Sequence, residues 1–452
     1  MRAHGPGAGD DRYGARSVES RPVNDAYDVL VIGGGFAGVT AARECAKAGL
    51  RTLIVEARDR LGGRTNTVLW NGAVTEMGGT WVHWTQPYVW AEIERYGLAL
   101  AESDGGGGRV ILRRAGGDLA DFDLGRYMAP LLAAVDQYMD GSRWMFAEPH
   151  RPFASGAPEQ HDRVTAAEPL ERVADPHVRD FLDGFVATAV GNRAREAAWV
   201  EMLRWYALAG HNYFDLVTAL GRYRLREGTR ALIAAMVADG KPHVRLDERI
   251  TAVEHGGAGA TVTTASGEVL SARALISTVP LNVLRDVAWH PALDPRKLEA
   301  SAERHAGAST KVHVLIEGEH RLAALAPSDC ALNTLTSEHT NEGTTHLIGF
   351  GPSAELLDVT DPKAVERAVR ELVPDARVID STGWDWNGDA SARGTWCALR
   401  PGQYSRHLAA LQQPAGRVFF ASADWANGWR GSIDGAIEQG LAAARQVRAL
   451  LA

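Results

Sequence analysis

The spacing of apolar and polar positions changes character several times along the chain. Residues 1–25 are Gly, Pro, Arg, Asp and Ser with almost no large apolar side chain, and no apolar centre of a signal peptide is present. That stretch reads as a disordered leader. Order begins at Tyr27. Asp28–Ile32 (DVLVI) is a short, continuous apolar run rich in β-branched residues, which predicts a strand buried on both faces. Phe36–Leu50 then carries small and apolar residues at helical spacing (Ala37, Ala41, Cys45, Ala48), with Gly49 as its stop. Arg51–Glu56 (RTLIVE) predicts a second buried strand and completes a βαβ unit.

The tetraglycine Gly105–Gly108 marks a loop, and from about Leu124 to Ala238 the period is 3.6 with few β-branched runs, so this part reads as helical. From His243 to Pro280 the period falls to two. Strands are predicted at Ile250–Glu254, Ala260–Thr264, Val269–Leu270 and Ala274–Val279. Lys311–Ile316 (KVHVLI) alternates again and sets Lys311, His313 and Leu315 on one face. The opening style returns at the end, with a buried strand Val418–Ser422 and a helix from about Ile433 to Leu451.

Composition adds exclusions. The 452 residues are 45% hydrophobic and 23% charged, with 48 Gly, which is an ordinary globular balance. A net charge of −8 without runs of like charge argues against a polybasic nucleic-acid or membrane-surface protein. The longest apolar stretch, about Ala231–Ala238, falls far short of the ~18 residues of a membrane span. Three cysteines (Cys45, Cys330, Cys397) make no disulfide framework and no C-x-x-C pair. A reducing, cytoplasmic setting and no metal site are expected.

The chemistry starts at the glycines. Gly33-Gly34-Gly35-Phe36-Ala37-Gly38 has G-x-G-x-x-G spacing between a strand and a helix. Gly33 permits the tight turn, Gly35 the approach of a pyrophosphate, and Gly38 close packing of helix on sheet. The helix N-terminus offers free N–H groups to phosphate. Glu56, 23 positions after Gly33, stands where an acid accepts hydrogen bonds from ribose. Arg58-Asp59-Arg60-Leu61-Gly62-Gly63-Arg64 adds a second anion site, and Glu76-Met77-Gly78-Gly79-Thr80-Trp81 a third glycine pair suited to a flat group. Together they favour FAD over NAD. The expected fold is α/β (α+β overall). A discontinuous Rossmann-type doubly wound FAD-binding domain takes residues 26–104, 228–300 and 385–452. An inserted substrate domain of mixed sheet and helices takes 105–227 and 301–384.

With these blocks in place the chain resembles the flavin-containing amine oxidases from Tyr27 to Leu451. Gly78–Leu98 and Gly428–Gly440 resemble most the bacterial nicotine oxidase and pseudooxynicotine amine oxidase branch of that family. The resemblance implies FAD contacts from Gly33, Gly35, Phe36, Ala37, Gly38, Glu56, Ala57 and Arg58. It implies others from Gly63, Arg64, Gly78, Gly79, Thr80, Trp81, Ile250 and Trp386. It also makes Asp424 the acid on the ribityl chain, and sets Ser432 and Ile433 at a helix N-terminus facing the flavin's pyrimidine end. Lys311 falls where the family's lysine holds a water against flavin N5. A desolvated strand lysine with a lowered pKa suits that task, whereas most lysines are merely solvated. His313 reads as structural.

Five tryptophans fall between Trp384 and Trp429. The resemblance makes Trp396 a wall of the substrate cage, with Trp429, Ser432 and His83 beside the substrate. Ser432 departs from the aromatic second wall of monoamine oxidases and also reads as a helix N-cap. Thr395 stands where the mitochondrial enzymes carry their flavin-bonding cysteine, which implies non-covalent FAD, with Cys397 pointing elsewhere.

The implied reaction moves a hydride from the carbon next to an amine nitrogen to flavin N5. The imine hydrolyses to a carbonyl, and O2 or an electron-acceptor protein reoxidises the flavin. A secondary or cyclic amine with a flat or aromatic group is the expected substrate, and a homodimer remains open. The alternatives are an L-amino-acid oxidase using Arg222, Arg224 or Arg400, a C–C desaturase of the protoporphyrinogen oxidase type, and a non-catalytic flavoprotein.

Overall fold

The computed structural model describes residues 27–103 and 108–452, so the expected leader and most of the tetraglycine lie outside the described residues. The opening βαβ unit is strand Tyr27–Ile32, helix Phe36–Lys47 and strand Thr52–Val55. Tyr27–Ile32 runs parallel to Thr52–Val55 on one side and to Val269–Ser277 on the other. Val29 to Ile32 are all buried, which accounts for the unbroken apolar run. His243–Arg245 extends the sheet beyond Thr52–Val55.

Two strands expected at Val269–Leu270 and Ala274–Val279 are one, Val269–Ser277. Its first half pairs antiparallel with Ala260–Thr264 and alternates in burial. Its second half lies between Tyr27–Ile32 and Val418–Phe420 and is buried throughout. One strand thus shows two periods, because its surroundings change midway. The helix Ile433–Leu451 packs along Phe36–Lys47, where a side chain at Gly440 would come within 2.5 Å of the Ala37 oxygen.

A second, seven-stranded sheet combines Arg109–Arg113 and Leu119–Asp121 with five strands between residues 310 and 383. Thr310–Glu317 lies between Thr344–Gly351 and Val378–Gly383, antiparallel to both. The largely helical stretch before it contains one short strand, Tyr223–Leu225, which joins Trp81–Val82 and Leu100–Glu102 in a small third sheet. Among the described residues no helix is long and apolar enough to cross a membrane.

Gly38 shows how tightly the first unit is drawn. A Cβ there would sit 2.0 Å from the Gly33 carbonyl oxygen. Gly38→Ala is expected to destabilise by ~1–3 kcal/mol, as overpacking does. Gly256→Ala, at an exposed position with nothing within 4 Å, should be neutral. Urea denaturation of the two variants checks the contrast.

Candidate active site

The two larger sheets share one cavity of about 870 Å³, the size of a large cofactor-plus-substrate pocket. At one end the first two glycine loops meet. Gly62 N–H donates to the Gly34 oxygen at 2.9 Å, and a Cβ on Gly63 would stand 3.1 Å from the Gly35 Cα. Side chains at these positions would fill the approach that the glycines leave open. Glu56 closes the turn: its Oε2 accepts from Gly34 N–H at 2.6 Å and its Oε1 from Arg58 N–H at 2.9 Å. Each oxygen keeps a lone pair for a further donor.

Arg64 binds the second loop to the chain's late segments. It donates to the Thr395 oxygen at 2.7 Å and to Asp424 Oδ1 at 2.6 Å, while Asp424 Oδ2 accepts from Leu281 N–H at 2.9 Å. Burial disfavours the Asp424 charge, but the Arg64 guanidinium, His305 and the Leu281 N–H together outweigh it and hold the carboxyl below its usual range. The third pair approaches just as closely, since a Cβ on Gly78 would lie 2.1 Å from the Arg64 oxygen and 2.9 Å from the Trp386 ring. Trp386 is fixed by a 2.8 Å bond from its Nε1 to the Met77 oxygen.

Lys311 stands at the other end. Its Nζ donates to the Glu76 oxygen at 2.8 Å, the Gly78 oxygen at 3.1 Å and Thr80 Oγ1 at 2.6 Å. The ammonium lies 4.9 Å from the Trp81 ring centre and 6.0 Å from that of Phe350. Burial pulls its pKa down to about 8, against the opposing pull of the Glu76 and Glu338 carboxylates. Trp396 lines this end, edge-on to Phe350 at 5.9 Å and anchored by Nε1 to the Ala189 oxygen. Trp429 lines it too, its Nε1 bonded to the Thr85 oxygen at 2.7 Å. Ser432 both lines the cavity and caps the Ile433–Leu451 helix, accepting from Gly435 N–H.

Most expected residues therefore meet around this cavity: Gly33, Gly35, Phe36, Ala37, Glu56, Ala57, Arg58, Gly63, Arg64, Gly78, Gly79, Thr80, Trp81, Ile250, Lys311, Trp386, Trp396, Trp429, Ser432 and Ile433 all line it. Three do not line it. Gly38 is packed against Gly33 inside the helix. Asp424 is fully buried, with one oxygen bonded to Arg64 and the other to the Leu281 N–H. His83 lies behind the lining, bonded to Thr85 and to Thr218, which does line the cavity, and burial pushes its pKa down to about 4.

The sequence reading missed Phe350 and the strand Thr334–Asn341, which brings Thr334, Thr336 and Glu338 to the cavity. Glu338 accepts from Arg224 Nε at 2.7 Å and from Ser103 Oγ at 3.0 Å, both through Oε1. Its signal was the alternation of Thr334 and Thr336 around Leu335, which on its own reads as a solvent face.

The buried lysine, the aromatic wall and the glycine cradle define a flavin-dependent oxidoreductase, and the cradle's missing side chains fit a flat, phosphate-bearing cofactor. The chain belongs to the flavin containing amine oxidoreductases, whose family model matches residues 36–448. It is 38% identical over 432 residues to a pseudooxynicotine dehydrogenase of Pseudomonas sp, covering 94% of this chain and 87% of that one. It is 34% identical over 429 residues to the nicotine dehydrogenase of Pseudomonas putida (strain DSM 28022 / S16), covering 94% and 89%. Wild-type putrescine oxidase, solved bound to putrescine, has the same fold: TM-score 0.81 at 23% identity, over 95% of this chain and 100% of that one.

Because the pKa of Lys311 is lowered to about 8, the ammonium prevails at neutral pH and the amine takes over above that value. Only the amine can take a proton from a neighbour, so flavin reduction should speed up with pH through this range. Lys311→Met is expected to lose that limb and ~10²–10⁴-fold in rate while still binding flavin. Stopped-flow reduction across pH checks both.

Proposed function

We propose that this chain binds FAD without a covalent bond and oxidises a secondary or cyclic amine that carries a flat or aromatic group. The observation that carries the reading is a desolvated lysine and a tryptophan–phenylalanine wall at one end of a cavity whose other end is a glycine cradle. Gly33, Gly35, Glu56 and Arg64 would hold the dinucleotide part, and Gly78, Gly79 and Ile433 the flat part. When bound, the flavin supplies a two-electron acceptor for the carbon next to the amine nitrogen. Lys311 orients water and holds or takes a proton beside it. Trp396 and Phe350 align the amine and exclude bulk water.

Support for the substrate class comes from the two nicotine-related relatives and from Ser432, which leaves one side of the cage polar. The arginines that an amino-acid oxidase would use each have a carboxylate partner: Arg222 is paired with Glu102, Arg224 with Glu338 and Arg400 with Glu196. Non-covalent attachment is supported by Cys397, which is fully buried, donates to the Asp424 oxygen and does not line the cavity. Within this reading the two sheets belong to two units with the boundaries given by the sequence. The setting is cytoplasmic, and oxygen or a protein accepts the electrons.

Acid precipitation should release free yellow flavin into the supernatant, and flavin that stays with the pellet would overturn the non-covalent part. Anaerobic bleaching by a panel of amines tests the class. Secondary and cyclic aryl amines should bleach the flavin fastest. A response confined to primary alkylamines or α-amino acids would refute this substrate. Trp396→Ala should raise KM and lower kcat together in the same assay.

A further inference from the structure

The lysine strand carries a second titratable group that the chemistry above does not use. His313 lies two residues from Lys311 on the same face and is buried. Its Nε2 is 3.0 Å from the Glu76 carbonyl oxygen, which also accepts from Lys311 Nζ at 2.8 Å. A carbonyl can only accept, so Nε2 carries the hydrogen and Nδ1 of the neutral ring is an acceptor. Nδ1 is 3.0 Å from His346 Nε2, which is therefore the donor. One backbone oxygen thus fixes the tautomers of both rings.

The surroundings hold the pair in place. Trp70 packs over both rings, with centroids 6.3 Å from His313 and 5.3 Å from His346, and His339 packs edge-on to His346 at 4.8 Å. Burial keeps the imidazoles neutral, with His313 well below its usual range and His346 lowered to about 3.

We propose that His313, oriented by His346, is a positioning residue for Lys311: it aims the Glu76 carbonyl and, by sharing that oxygen, limits how firmly the ammonium form of Lys311 is held. The inference rests on the reading of Lys311 as the group that works beside the flavin. An oxygen that accepts two hydrogens binds each more weakly than it would bind one, so His313 tips Lys311 toward the neutral amine. The other groups facing Lys311 are the Glu76 and Glu338 carboxylates, which favour the ammonium, and Arg224, which opposes it. His346 and His339 stand behind His313 on neighbouring strands.

The test uses the flavin-loaded enzyme and two readouts: the pH dependence of flavin reduction, and the pH titration of the resting flavin's visible spectrum, which responds to a nearby charge without turnover. The midpoint absent from Lys311→Met belongs to Lys311. His313→Leu should move that midpoint up by about one unit, a tenfold change in proton affinity, with KM changed less than about threefold. His313→Gln keeps an N–H within reach of Glu76 and should restore the wild-type midpoint. A midpoint that stays put or falls in His313→Leu, or that His313→Gln fails to restore, overturns the proposal. If His313→Leu does not fold, His346→Leu replaces it, since it removes the partner that orients His313, and the same upward shift is expected. A titration that persists in Lys311→Met sinks the reading of Lys311 itself.

Discussion

An ammonium group taken out of water must have its hydrogens met, and here one short segment meets all three. Lys311 belongs to the second sheet, whereas the Glu76 oxygen, the Gly78 oxygen and Thr80 Oγ1 belong to the third glycine block. An unpaired buried amine is costly enough that the segment and the strand must come together. Gly78 makes the approach possible, because any side chain there would strike the Arg64 carbonyl. The buried lysine and the third glycine block are consequently one arrangement. A shift in either moves the other.

What could be read in the sequence follows from how local each signal is. The βαβ unit and its glycines were legible because strand, turn, helix and acid lie within thirty residues, and each position has a conformational reason to be what it is. The face shared by Lys311 and His313 was legible from alternation alone. The strand Thr334–Asn341 was not, because its polar positions face a cavity, and periodicity cannot tell an enclosed polar face from a wet one. A register shift between Ser337 and His339 further breaks the alternation.

Asp424 and His83 sit just behind the cavity lining. Both stand where a motif places a contact, and both are close in sequence to residues that do line the cavity. Asp424 is claimed by Arg64 and by the Leu281 N–H, partners distant in sequence that no local pattern announces. His83 follows the two-residue strand Trp81–Val82, and past its end the chain turns toward Thr218 on a neighbouring helix. Ser432 reconciles two readings, since one hydroxyl caps a helix and still borders the cavity.

The ion pair between Arg64 and Asp424 also has a meaning in time. Its partners are 360 residues apart. At roughly 5–20 residues per second of synthesis, the second glycine loop waits on the order of tens of seconds for the acid that fixes its arginine. The strand Val418–Phe420, which completes the flank of Val269–Ser277, arrives at the same late moment. During that interval Arg64 lacks the carboxylate that fixes it in the finished fold. The cradle is therefore complete only when nearly the whole chain exists.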